Sequence, residues 1–242
     1  GLVLRRIRAF DPDVLGLQEV TDFQADYLRR ELSDYGYVGA DWPGGEDGKH
    51  VPLLFRASRF ERIDVGYFWL SDTPEAPGGS DWGSFSPRMV TWAALRDRRR
   101  PGEILYAFNT HYSPVSIPAR NESTKLLRRR IRAIAGAGPA ILTGDFNTQA
   151  GENTYHRLLG QQGRDELCLT DAYVTVHGEK ADDAGTYHLP GGVRLRRRID
   201  WILHTRHFLP VRAAVDTWNL DGRYPSDHYP VTVLLRYRRS DE

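Results

Sequence analysis

The segment from Ala140 to Asn147 joins a short apolar run to two polar side chains that could do chemistry. Residues 140–143 are apolar or small and predict a short buried strand that ends at Gly144. Asp145 and Asn147 come next, and side chains two positions apart in an extended chain point to the same side. A carboxylate can hold a cation or take a proton, and a carboxamide can donate to a negative oxygen. The pair predicts a catalytic strand end, and the alternative is an Asx turn that closes the strand.

Other predicted strands also end in side chains suited to metal or proton chemistry. Glu19 closes the apolar run 14–20, where a carboxylate needs a cation or, as the alternative, an arginine partner. Because such groups recur at separate strand ends, we expect them to meet at one catalytic rim. Their donors are oxygens and imidazoles without thiols, which favours Mg²⁺, with Mn²⁺ as its substitute, over zinc. These residues are Glu19, His111, Asp145 with Asn147, and Asp227 with His228.

Asp200 is unexpected because it lies within the apolar run 198–203. A buried carboxylate that accepts a hydrogen bond from a histidine fixes the tautomer of the ring and raises its basicity. We therefore expect Asp200 to orient His228.

The elements that must position these residues follow from hydrophobic periodicity. Two sets of strands with helices between them favour two packed sheets with helices outside, and no feature marks a domain boundary. The stretch 169–176 is ambiguous between helix and strand. Helices are predicted at 2–11, 21–32, 117–136 and 153–159, and strands at 14–20, 35–40, 51–56, 62–70, 89–95, 103–110, 140–143, 198–203, 208–217 and 231–237.

Length and composition restrict the class of protein. A chain of 242 residues fits one domain with a large core. No stretch approaches the ~20 apolar residues of a membrane span, and no leader peptide is visible, so the compartment stays open between cytoplasmic and exported. Cys168 is the only cysteine, which excludes an internal disulfide and a cysteine-based zinc site.

The net charge of +1 gives no general argument for nucleic acid, but the positive charge is unevenly distributed. Nearly all of it is arginine, clustered at 98–100, 128–130 and 196–198. Arginine suits bidentate phosphate contacts. The alternative is that these clusters reflect a coding bias and form solvated surface.

Five motifs together resemble the endonuclease/exonuclease/phosphatase superfamily. The resemblance runs from about Leu4 to the C-terminus, with the motifs in the order of the superfamily, and is greatest to its bacterial single-domain and deadenylase-like branches. The motifs are Gln18-Glu19, Asn109-Thr110-His111, Gly144-Asp145-Phe146-Asn147, Arg198-Ile199-Asp200-Trp201-Ile202 and Ser226-Asp227-His228.

This resemblance implies a four-layer α/β/β/α sandwich and Mg²⁺- or Mn²⁺-dependent hydrolysis of a phosphomonoester or phosphodiester by in-line attack of water. The substrate would be a nucleic acid, a nucleotide, a phosphorylated small molecule or a lipid headgroup, and we expect a monomer. The resemblance also implies a role for each residue. Glu19 would bind the metal, Asp145 would orient and deprotonate the water, and Asn147 would donate to the phosphoryl oxygens. His111 would contact the phosphate, as would His228, which Asp200 holds; Asp227 would support the metal or the leaving group, and Arg88, His188 and Asn109 would bind substrate.

The sequence departs from the superfamily at two places. Superfamily members open with a strand whose Asn joins the Glu at the metal, whereas this sequence starts after that strand. We therefore expect residues 1–242 to be one N-terminally truncated domain of reduced activity. Lys49 and His50 stand where many bacterial relatives have Glu and Asn, which predicts altered substrate contacts or, as the alternative, a solvated loop. A catalytically inactive binding or scaffold protein is the competing function.

Overall fold

Four layers of secondary structure, in the order helix, sheet, sheet, helix, make up this computed structural model, which describes residues 1–39, 48–161, 166–178, 181 and 184–239. The α/β/β/α prediction is confirmed. The helices are α1 (Leu2–Phe10), α2 (Asp22–Glu31), α3 (Ile117–Ala135), α4 (Asn153–Leu159) and α5 (Ala172–His177). The strands are β1 (Val14–Gly16), β2 (Tyr35–Val38), β3 (Leu53–Arg56), β4 (Phe60–Trp69), β5 (Met89–Asp97), β6 (Ile104–His111), β7 (Ala140–Asp145), β8 (Thr170–Asp171), β9 (His188–Leu189), β10 (Val193–Arg194), β11 (Asp200–His204), β12 (Phe208–Val215) and β13 (Val231–Tyr237).

The larger sheet has six strands in the order β4-β5-β6-β7-β11-β8. Strands β6 and β7 are parallel and set His111 opposite Asp145, while the antiparallel pairing of β7 with β11 sets Asp145 opposite Asp200. Three chemically active side chains therefore lie in one row across neighbouring strands.

Apolar side chains fill the spaces between the layers. Helices α3 and α4 pack on one face of the large sheet through residues such as Leu127 and Leu158. The other face meets β3 through Leu53 and Phe55. Outside that second layer, α1 packs through Leu4 together with α2. Among the described residues, no helix combines the length and the apolar character needed to cross a bilayer.

The second sheet layer is divided. One part is β1-β3-β2 and the other is β12-β13. Between them runs a cavity of about 870 Å³, lined by Val14–Gly16 on one side, by Val231–Val233 on the other and by α1. Among the described residues, β1 pairs only with β3 and β13 only with β12, so each has one free strand edge. The preceding strand expected from the resemblance stays a prediction, and this cavity borders both free edges.

Several element boundaries differ from the predictions. The run 14–20 is a strand only as far as Gly16, because the chain turns at Glu19, whose φ of 56° is left-handed. Strand β11 begins at Asp200, so this carboxylate is at the end of the strand and not inside it. The ambiguous stretch 169–176 contains β8 and α5, and Asp171 caps that helix. Residue 40, the end of one predicted strand, lies outside the described residues.

Asn109 joins the two sheet layers. Its Oδ1 accepts hydrogen bonds from Gln18 Nε2 at 2.8 Å and Thr143 Oγ1 at 3.0 Å. Its Nδ2 donates to the carbonyls of Leu17 at 2.6 Å and Pro52 at 2.9 Å. The amide is fully buried and uses its whole hydrogen-bonding capacity within the protein. Its contacts support a structural role and not the predicted substrate contact.

We expect Asn109→Ala to lower the free energy of unfolding by about 3 kcal/mol, because it removes the four hydrogen bonds that this fully buried side chain makes. Chemical denaturation measures the loss. The control is Asn219→Ala, which removes one exposed hydrogen bond from Gly222 and should cost less than about 1 kcal/mol. Equal losses in the two variants would contradict the joining role.

Candidate active site

The row of residues across β6, β7 and β11 is completed by a histidine from the loop before β13. His111 Nε2 lies 3.3 Å from Asp145 Oδ2, and His228 Nε2 lies 3.9 Å from the same oxygen. His228 Nδ1 in turn lies 2.9 Å from Asp200 Oδ2. The sequence prediction that Asp200 is the partner of His228 is confirmed.

The contact with Arg88 indicates which tautomer His111 adopts. Arg88 Nη1 lies 2.9 Å from His111 Nδ1. A guanidinium can only donate, so Nδ1 accepts and the ring proton resides on Nε2, facing Asp145. Arg88 comes directly before β5 and His111 ends β6, and these strands are antiparallel neighbours. These two residues, predicted separately for the site, are therefore brought together at one edge of the sheet.

His228 is charged at neutral pH. Burial disfavours its imidazolium, but the hydrogen bond to Asp200 and the negative charges of Asp200 and Asp145 outweigh burial and raise the pKa of His228 to about 9. Burial and the charge of Asp145 raise the pKa of the Asp200 carboxyl. A partly buried imidazolium–carboxylate pair thus holds a positive charge beside Asp145.

Asp145 is a buried carboxylate that stays ionised. Burial alone would raise its pKa, but the hydrogen bond from His111 and the charge of His228 outweigh burial and lower the pKa of Asp145. Its Oδ1 accepts from the backbone N–H of Asn147 at 2.9 Å. This is the Asx turn named above as the alternative, and it coexists with a clustered site.

Asn147 leaves the strand in a left-handed conformation, with a φ of 48°. Its Nδ2 donates to the carbonyl of Tyr112 at 2.9 Å, which fixes the direction of the amide. The second N–H of that group remains for a ligand, so donation to a phosphoryl oxygen stays a prediction.

Phe146 anchors this strand end in the core. Its ring is fully buried and stacks on Trp201 with centroids 4.7 Å apart and an interplanar angle of 11°. Tyr112 meets the same ring edge-on at 5.1 Å. These aromatic contacts fix the backbone from which the carboxylate and the amide on either side project.

Glu19 stands on the other side of His111. Its Oε1 lies 3.8 Å from His111 Nδ1, and its Oε2 accepts from Lys49 Nζ at 3.2 Å. The carboxylate is about half exposed and lines the 870 Å³ cavity together with Asp200 and His228. Glu19 therefore shares this cavity with His228 and lies close to His111, so the carboxylate is near both imidazoles.

Two sites could hold a divalent cation: one group of three residues, and the separate carboxylate of Glu19. Among the described residues, Asp145, Asp200 and His228 each place one ligand atom within 4.8 Å of the others. Glu19, the ligand expected from the sequence, is outside that group but is a half-exposed carboxylate that lines the cavity. Both sites offer hard oxygen donors of the kind that Mg²⁺ accepts.

Asp227 and His188 are less directly involved. Asp227 is exposed, and its Oδ1 accepts from Ser226 Oγ at 3.2 Å. His188 is buried, with its ring nitrogens 2.9 Å and 2.8 Å from the carbonyls of Leu189 and Ser226. Its contacts support the loop that carries His228 and not the predicted contact with substrate.

The arginine clusters are partly used within the protein. Arg128 donates to the carbonyls of Leu158 and Leu167 at 2.7 Å each. Arg130 pairs with Glu75. Arg198 is buried against Asp171 at 2.8 Å. These contacts weaken the interpretation of the clusters as a nucleic-acid surface.

Three residues of the site were not among the predicted ones. Lys49 binds Glu19, Gln18 supports Asn109, and the ring of Tyr187 lies 5.2 Å from that of His228. Lys49 was marked only by its departure from the superfamily pattern. The positions of the other two depend on contacts between distant segments.

Comparison with known proteins agrees with this geometry. The sequence profile described as "Endonuclease/Exonuclease/phosphatase family" matches residues 1–228. Nocturnin from Rattus norvegicus is 28% identical over an alignment that covers 95% of this chain and 55% of Nocturnin. The chain thus spans about half the length of the curated relatives it matches.

Comparison with solved structures also finds proteins of the endonuclease/exonuclease/phosphatase family. An endonuclease/exonuclease/phosphatase from Bacteroides vulgatus has a TM-score of 0.84 at 28% identity, over 98% of this chain and 89% of that one. A mannosyl-6-phosphatase from Bacteroides thetaiotaomicron VPI-5482 has a TM-score of 0.84 at 27% identity, over 98% and 90%. The chain belongs to the endonuclease/exonuclease/phosphatase family.

Proposed function

We propose that the protein is a hydrolase that uses a divalent cation and a water molecule to cleave a phosphoester. The observation that supports this proposal is an unbroken series of contacts, no longer than 3.9 Å, that joins five side chains from separate segments. In order along the series they are Glu19, His111, Asp145, His228 and Asp200.

Asp145 orients the attacking water. Its lowered pKa keeps it ionised, so it can accept a hydrogen bond from water throughout the neutral range. The same low pKa makes it a weak base. A divalent cation supplies the missing chemistry, because it acidifies bound water and neutralises charge on the phosphoryl group. His111 Nε2–H holds the other side of the Asp145 carboxylate and fixes its direction.

Positive groups face the place where negative charge develops during the reaction. The His228 imidazolium, kept charged by Asp200, can donate from Nε2 to a phosphoryl oxygen. Arg88 and the free N–H of the Asn147 side chain add two further donors from neighbouring strand ends. Such fixed donors lower the barrier because they need little reorganisation during the reaction.

Glu19 is the residue we assign to the cation. Its carboxylate is half exposed, whereas a cation bound by the Asp145, Asp200 and His228 group would have to break the 2.9 Å Asp200–His228 hydrogen bond. Asp227, exposed beside His228, remains the second proposed ligand. Mg²⁺ fits this oxygen-rich set, with Mn²⁺ as its substitute.

The substrate class is proposed only as a phosphomonoester or phosphodiester. The partial use of the arginine clusters in internal contacts favours a small phosphorylated molecule or a nucleotide over duplex nucleic acid. Every residue of the proposed site comes from one chain, so a monomer suffices.

A substrate panel tests the function. Single-stranded RNA, DNA, a chromogenic phosphodiester, inositol phosphates and sugar phosphates are each incubated with Mg²⁺ and with a chelator. We expect at least one to be hydrolysed only when the metal is present. Hydrolysis unaffected by chelation, or none of any substrate, would contradict the proposal.

Asp145→Asn should lower kcat on the best substrate by about 10³-fold, because the neutral amide lacks the charged oxygen that orients the attacking water. Asp64→Asn is the matched control, since Asp64 is exposed on β4 and accepts a hydrogen bond only from Val65 among its described contacts. Thermal unfolding of both variants verifies that the fold is intact. Turnover by Asp145→Asn near that of the unmodified protein would exclude the assigned role.

Millimolar Mg²⁺ should raise the Tm by about 2–5 °C, because a ligand that binds only the folded state stabilises it. Glu19→Gln should abolish most of this rise. The control is Glu61→Gln, an exposed glutamate paired with Arg96, which should keep the full rise. An equal rise in both variants would remove Glu19 from the cation site.

A further inference from the structure

The positively charged ammonium group of Lys49 contacts the carboxylate of Glu19, the residue assigned to the cation. Its Nζ lies 3.2 Å from Glu19 Oε2, and no other described residue donates a hydrogen bond to Glu19. The two side chains are 41% and 51% exposed, so neither is fixed by surrounding protein. The pair is therefore free to open.

The backbone under Lys49 is held in place. Val20 and His50 form an antiparallel bridge with N–H···O distances of 3.1 Å and 2.8 Å. The His50 ring is buried and lies 2.7 Å from Asp22 Oδ1. Lys49 thus projects from a fixed point beside Glu19, while its four-carbon side chain can swing the ammonium group to nearby partners.

Exposed ion pairs contribute little to folding, so stability does not account for this contact. Its electrostatic effect on ligands is larger. The ammonium competes with a divalent cation for Glu19, and it repels that cation if it stays nearby. A phosphate group that arrives with the cation offers the ammonium another negative partner.

We propose that Lys49 couples the binding of the divalent cation to the binding of phosphate. It holds Glu19 when the cleft is empty, opposes the cation alone, and transfers to the phosphoryl oxygens when cation and phosphate are both bound. This inference rests on the proposed function. The proposal makes Lys49 a substrate-binding residue, the third positive group beside Arg88 and His228. It favours phosphomonoesters as substrates, because their dianionic phosphate carries more negative charge than a phosphodiester.

Calorimetric titration tests the coupling without any catalytic readout. Mg²⁺ is titrated into the unmodified protein and into Lys49→Met, first alone and then with saturating inorganic phosphate. With Mg²⁺ alone, Lys49→Met should bind about tenfold more tightly, because a repelling charge has been removed. With phosphate present the two proteins should differ by less than about twofold, and phosphate itself should bind Lys49→Met about tenfold more weakly.

Two further variants complete the experiment. Lys49→Arg keeps the charge and should behave like the unmodified protein. Lys125→Met removes an exposed lysine paired with Glu122 at 2.6 Å on α3 and should change neither affinity. Equal or weaker Mg²⁺ binding by Lys49→Met would overturn the lysine proposal alone. Absence of Mg²⁺ binding in every variant, together with no hydrolysis in the substrate panel, would overturn the proposed function as well.

Discussion

The register of three adjacent strands is the constraint on which the site depends. Parallel pairing of β6 with β7 and antiparallel pairing of β7 with β11 align His111, Asp145 and Asp200 in one row. A slip of one residue in either pairing would turn a member of the row to the opposite face. The apolar layers on both faces of the sheet oppose such a slip, because it would also expose core side chains. Packing of the core thus sets the geometry of the polar site.

Much of the site could be predicted because its signals are local. A charge next to an apolar run is visible in the sequence, and so is a carboxylate where a hydrophobic residue is expected. Asp145 and the Asp200–His228 pair belong to this kind. Helices α1 to α4 were predicted nearly to their ends for the same reason, since the capping box of α2 and the apolar stripe of α3 are properties of short segments, whereas the stretch that holds α5 was ambiguous.

The remainder depends on which distant segments meet. Asn109 and His188 have the residue types of a substrate site, yet their polar atoms contact groups within the protein: Asn109 the side chains of Gln18 and Thr143 and two backbone carbonyls, and His188 two backbone carbonyls. Side-chain chemistry alone does not distinguish these uses. The contact of Lys49 with Glu19 likewise depends on the bridge between two segments 30 residues apart. The predicted strand 14–20 was too long because the chain turns at Glu19, which is left-handed. The turn was missed because a left-handed residue has no clear sequence signal unless it is glycine or asparagine.

Phe146 has a consequence for how such a protein can diversify. It lies in the core between two polar residues of the cleft, so a substitution in this tripeptide alters packing and reactivity together. A change at a side chain that is partly exposed beside the site, such as Lys49 at 41% exposure, disturbs the core less. A lineage can therefore acquire new substrates by remodelling its periphery while one strand end preserves the bond-breaking step.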